Sequence, residues 1–113
     1  MVEHRIFFPR DERTAQELAQ NRIDDRCSFE VEEFTLVQKL ELMRLLTQRA
    51  PQFRPKNGDP GKVLCPADLP LFIEIVSELR ASTPTKELGS LLDRVAERTK
   101  KSRDQGLPIL LFR

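Results

Sequence analysis

The stretch Thr35–Arg49 (TLVQKLELMRLLTQR) constrains the fold more than any other, because it carries leucines on two sides of one helix. At about 100° per residue, Leu36, Leu40 and Met43 align in one stripe, flanked by Val37 and Leu46. Leu42 and Leu45 fall toward the opposite side. A helix apolar on two sides is either enclosed by its fold or shared with a partner. Thr35 and Gln38 have the spacing of a capping box, in which two side chains satisfy free N–H groups of the first turn. Ala50-Pro51 ends the helix, since proline lacks an N–H and disfavours helical geometry in the residue before it. The Leu36–Leu40–Met43 stripe is therefore expected to be core, with the rest of the chain packed around this central helix. The Leu42–Leu45 side is then closed either by other elements or by a second copy in a homodimer.

Before this helix, Val2, His4, Ile6 and Phe8 alternate with Glu3, Arg5 and Phe7, which predicts a strand with one buried face, ended by Pro9. Thr14 and Glu17 repeat the capping-box spacing and place a short helix over residues 12–22, with Ala15, Leu18 and Ala19 inward. Phe29 and Val31 then alternate with glutamates. A short strand is favoured there over one helix running from Phe29 to Arg49, because Thr35 caps so well.

Residues 51–66 carry four prolines and two glycines and read as a long connection. Asp59-Pro60-Gly61-Lys62 fits a type II turn, with glycine supplying the positive φ at its third position. Val63 and Leu64 fit a very short strand. Asp68 is placed to cap the next helix, with Pro70 in its first turn and a stripe of Leu69, Phe72, Ile73, Val76 and Leu79, widened by Leu71 and Ile75. Thr83 and Pro84 are placed to cap and open the last helix. Leu88, Leu91, Leu92, Val95 and Ala96 form its single apolar face, and Gly106 ends it. Leu107–Phe112 is too apolar for an exposed tail, so Ile109–Phe112 is expected to pair with His4–Phe8. The fold class is α+β: about four helices packed around a central helix, with a small sheet involving both chain termini, in a single domain over residues 1–113.

Charge narrows the function. With 19 basic and 18 acidic residues the net charge is +1, which removes a global electrostatic drive toward nucleic acid or membranes. No stretch approaches the ~20 apolar residues of a membrane span. His4 and Arg5 interrupt the N-terminus before the apolar run of a secretory leader develops. Cys27 and Cys65 are too few for a disulfide framework and match no zinc spacing, so both read as reduced thiols of a cytoplasmic protein.

Catalysis by an activated nucleophile needs a base held by a third group. His4, the only histidine, reads instead as a strand residue beside buried structural thiols. Gly58-Asp59-Pro60-Gly61-Lys62 fails as a phosphate loop: two residues separate its glycines where a Walker motif has four, and Val63 follows the lysine. Its Gly58-x-x-Gly61 spacing matches a KH clamp, but Asp59 repels phosphate and Pro60 lacks a donor. No catalytic, metal or cofactor residue is assigned.

Three surfaces remain for a partner. The first is the Leu42–Leu45 side. The second is the acidic segment Asp24, Asp25, Glu30, Glu32 and Glu33, which lacks the glycine and ligand order of a calcium loop and reads as a solvated edge or a face for a basic partner. The third is Arg94, Arg98 and Lys101, which share one face of the last helix, with Lys100 and Arg103 nearby. Cations there complement the helix dipole, and Glu97 has pairing distance to Lys101. Asp93, Glu97, Asp104 and the absence of Trp and Tyr argue against nucleic acid at that face. The function expected is a non-enzymatic, regulatory protein-interaction module: an adaptor, an inhibitor or a small subunit whose partner is another protein or itself. A nucleic-acid binder using the basic C-terminal helix is the alternative, and an enzyme with an unrecognised carboxylate site the second alternative.

Overall fold

The computed structural model describes residues 4–20, 29–53, 61–82 and 85–112. Their elements run β1 (Arg5–Pro9), α1 (Glu12–Ala19), β2 (Phe29–Glu33), α2 (Leu36–Arg49), β3 (Lys62–Leu64), α3 (Leu69–Ser82), α4 (Lys86–Gln105) and β4 (Ile109–Leu111), with short 3-10 turns at Pro51–Phe53 and Pro66–Asp68. The fold is α+β. Its four strands form one antiparallel sheet in the order β2-β1-β4-β3, so the strands nearest the two chain ends lie side by side at its centre, Phe7 opposite Leu110. Phe29–Glu33 is a strand, as the capping argument at Thr35 favoured.

The pleat of β1 sorts its side chains between two clusters. Ile6 and Phe8 join Leu64, Ile109 and Leu111 in the main core under α2, α3 and α4. Phe7 points the other way and meets Leu18, Phe29 and Leu110 beneath α1. Both faces of the strand are thus buried, not one, because α1 closes the second. Phe7 and Phe29 pack edge to face, ring centres 6.0 Å apart. The cap of α1 is Asp11, with Thr14 as the third helical residue. The Asp11 carboxylate accepts the Thr14 N–H at 2.9 Å, a bond that pulls its pKa below the usual carboxylate range. That one-turn shift from the expected cap buries Thr14 and leaves Ala19 exposed.

The helix at the centre is α3, not Thr35–Arg49. Leu69, Phe72, Ile73, Ile75, Val76 and Leu79 bury it on several sides, with α2 and α4 as neighbours. Arg49 ties α2 to α3 through Glu74 at 3.6 Å and Glu78, and Arg80 reaches Asp93 of α4 at 3.1 Å. Gly89 makes room for that arginine, since a Cβ there would stand 3.0 Å from its guanidinium.

Helix α2 is turned over relative to the expected packing. Its capping box forms as predicted, Thr35 N–H to Gln38 Oε1 at 2.9 Å and Gln38 N–H to Thr35 Oγ1 at 3.2 Å. Its buried residues, however, are Leu42 and Leu46, with Met43 and Leu45 half-buried against the core, while Leu36, Val37 and Leu40 face outward. The reason lies at the helix ends. Phe34 before the cap, and Ala50 and Phe53 after the last turn, are all buried in the main core. A helix fastened at both ends by these residues presents the Leu42–Leu46 side inward.

Helix α3 opens at Leu69 with Pro70 in its first turn, and Asp68 closes the preceding 3-10 turn. Helix α4 begins at Lys86 after Thr85, which makes no side-chain cap bond. The expected cap Thr83-Pro84 lies outside the described residues, as do Asp24, Asp25, Cys27, Asp59 and Pro60. The apolar face of α4 is as predicted and continues through buried Thr99 and Ser102. Gly106 ends the helix at φ 68°, and the Leu107 N–H closes on the Ser102 carbonyl at 2.8 Å. Gly61 has φ 109°, the sign its turn position requires. Cys65 is exposed, contrary to the buried thiol expected, because it stands between β3 and the 3-10 turn.

Candidate protein-interaction surface

The acidic and basic stretches find each other inside the molecule. The register of β2 on β1 sets Glu32 opposite Ile6 and Glu30 opposite Phe8, which puts both glutamates on the sheet face beneath α4. Arg94 and Arg98 stand one helical turn apart above them. Arg94 Nε donates to Glu32 Oε1 at 3.0 Å, Arg98 Nε to Glu32 Oε2 at 2.7 Å, and Arg98 Nη1 to Glu30 Oε2 at 2.8 Å. Arg10 adds a contact to Glu30 at 3.8 Å. The Glu32 hydrogen bond holds the Arg98 guanidinium above the usual arginine range. The Glu32 side chain is only 8% exposed.

A buried carboxylate between two guanidiniums is costly to leave unpaired and, when paired, fixes the approach of α4 to the edge strand. Glu32→Gln is expected to lower unfolding free energy by about 1–3 kcal/mol, the range for a hydrogen bond to a charged group, reduced by solvent at the half-exposed arginines. Urea denaturation of Glu32→Gln, Arg98→Met and the double variant checks it: the two losses should be clearly non-additive. Additive losses would mean that the pair is not coupled. Of the three predicted cations, Lys101 alone has no carboxylate partner among the described residues. With Asp93, Arg94, Glu97 and Arg98 it lines an open depression of about 450 Å³.

The outer face of α2 is different in kind. Leu36, Val37 and Leu40 are 56%, 70% and 57% exposed, and they are the exposed large hydrophobic residues among those described. Beside them runs a groove of about 550 Å³, between the Val37–Glu41–Arg44 flank of α2 and Leu79, Glu87 and Leu88 at the α3–α4 corner. Glu41 and Arg44 are paired at 3.0 Å along its edge. Of the sequence-derived partner residues on this helix, Leu42 is fully buried in the main core and Leu45 half-buried against it. Of the stripe that sequence reasoning assigned to the core, Leu36 and Leu40, with flanking Val37, form the surface instead, while Met43 stays half-buried against the core and Leu46 is buried in it. Their signal was present: Leu36, Leu40, Met43 and Thr47 follow the four-three-four spacing of a helix–helix seam.

His4 sits beside the first strand, where its carbonyl accepts the Phe34 N–H at 2.8 Å. Its Nδ1 is buried without a partner among the described residues. Within the same residues no group of three or more His, Cys, Asp or Glu is placed to hold a metal ion, and no helix is long and apolar enough to cross a membrane. No family model, curated protein or solved structure matches this chain.

Proposed function

We propose that the protein is a non-enzymatic interaction module of the cytoplasm, an adaptor, inhibitor or small subunit, and that it engages its partner through the outer face of α2. The observation that carries this reading is the gathering of Leu36, Val37 and Leu40, each more than half exposed, on one face of one helix. Scattered exposed leucines are ordinary, whereas a contiguous apolar patch bordered by charge is characteristic of a binding surface. Covering these three side chains contributes on the order of 1 kcal/mol each. Nucleic-acid binding through α4 is less favoured, because Arg94 and Arg98 already serve Glu32 and Glu30.

The test is affinity capture from the native cell with the wild-type chain and with Leu40→Glu, both verified as folded by circular dichroism. The expected result is a stoichiometric protein, either another chain or the same one, held by the wild type and lost from the variant. Equal capture by both, or capture of nuclease-sensitive material, would refute the α2 surface.

A further inference from the structure

The seam and the groove share one helix, and together they specify the partner. We propose that the outer face of α2 binds a second copy of this chain, the two α2 helices packing antiparallel about a two-fold axis. The inference rests on the interaction reading above and adds the identity of the occupant.

Shape supports it first. A two-fold interface uses the same patch on both copies, so the patch must carry both a projection and a recess to receive it. Leu36 and Leu40 form the projection, the lower stretch over half-buried Met43 and the small Thr47 forms the recess, and Val37 stands toward the groove lined by Leu79 and Leu88. Spacing supports it next. Leu36, Leu40, Met43 and Thr47 follow the alternating four- and three-residue steps of a heptad, the pattern that keeps a seam facing a neighbouring helix. Centred between Glu41 and Leu42, an antiparallel pair sets Leu40 opposite Met43 of the second copy and Leu36 opposite Thr47.

Charge selects the direction. Lys39, its ammonium 5.4 Å from the centre of the Phe112 ring, lies on one flank of the seam, and Glu41 and Arg44 lie on the other, the groove side. Parallel helices would bring opposite flanks together and set Lys39 against Arg44 of the second copy, twice. Antiparallel helices bring like flanks together, so each Arg44 comes beside Glu41 of the second copy. The same two groups already pair within one helix at 3.0 Å, so both are directed along that flank. The 14 residues of α2 span about 21 Å, so the two helices can pair over about three to four turns.

Sedimentation equilibrium on the full chain tests the proposal, with thermal unfolding run on every variant to verify the fold. The wild type is expected to shift from monomer to dimer across the micromolar range, and Leu40→Glu to remain monomeric. Glu41→Arg alone and Arg44→Glu alone should each weaken the dimer about tenfold, by placing like charges on the shared flank. The double variant, Glu41→Arg with Arg44→Glu, should restore it, and Arg103→Glu on the far part of α4 should change nothing. The exchange also restores the pair within each helix, so the deciding arm is an equimolar mixture of the two single variants: it should associate more tightly than either variant alone, because opposite charges then meet only across the interface. A wild type that stays monomeric overturns the proposal, as does a dimer indifferent to Leu40→Glu or single variants that the exchange fails to rescue. If the chain is monomeric yet captures a different protein in a Leu40-dependent way, self-association falls and the interaction reading stands. A monomer with no Leu40-dependent capture overturns both.

Discussion

Deleting Ile109–Arg113 is expected to leave a chain without a cooperative unfolding transition. Strand β4 is not a loose end: it lies between β1 and β3, and the sheet divides without it. Ile109 and Leu111 enter the main core, and Leu110 enters the smaller cluster beneath α1. Phe112 follows them into the core at φ 58°, a left-handed backbone that a bulky residue rarely adopts, and its ring meets Phe34 edge-on at 5.7 Å. Four large buried side chains at about 1.5–3 kcal/mol each equal most or all of the ~5–15 kcal/mol by which such a domain is stable. Circular dichroism and urea titration of the truncated chain check this, and amide exchange at Leu110 and Leu111 in the intact chain should be slow. A truncated protein that still unfolds sharply, or rapid exchange at those two amides, would show the terminal strand to be dispensable.

The pairing of the first and last strands was legible in the sequence because the apolar runs His4–Phe8 and Ile109–Phe112 each need a partner strand, whereas the flanking positions of β2 and β3 were not. Ile109–Phe112 could not be left in water, and His4–Phe8 offered the matching strand. What periodicity could not settle was which side of an element faces which layer. In β2 the alternation of Phe29 and Val31 with glutamates was correctly read as a strand, but glutamate suggests solvent. Glu30 and Glu32 instead lie beneath α4, because Arg94 and Arg98, more than sixty residues later, bring the opposite charge to them. No local pattern announces such a pair. The acidic segment and the basic helix, read separately as two partner surfaces, include the two halves of one internal contact.

Helix α2 shows the same limit more sharply. With leucines at 36, 40, 42, 45 and 46, its hydrophobic pattern supports two faces about equally, and the regular Leu36–Leu40–Met43 stripe is the more conspicuous. The deciding residues lie beyond the helix: Phe34, Ala50 and Phe53 are buried and hold the Leu42–Leu46 side inward. The capping box, being local, was read correctly. The orientation depends on residues on either side of the helix, and so was not.

Leu42→Ala is accordingly expected to lower unfolding free energy by about 2–5 kcal/mol, whereas Leu40→Ala should change it by about 0.5 kcal/mol or less. Leu42 has no exposed surface and belongs to the main core, so truncation leaves a cavity that its neighbours fill only in part. Leu40 is 57% exposed, and its methyl groups already meet water in the single chain. The two substitutions delete the same atoms from the same helix, two residues apart, and helix propensity falls out of the comparison. Urea titration must be carried out well below the micromolar concentrations at which the proposed dimer would form, because binding of the folded chain adds to apparent stability. At higher concentration Leu40→Ala should begin to cost stability while the Leu42→Ala deficit persists. A large loss for Leu40→Ala in the dilute monomer, with little change for Leu42→Ala, would mean that α2 presents its other face to the core and would remove the surface on which both the proposed function and the proposed dimer depend.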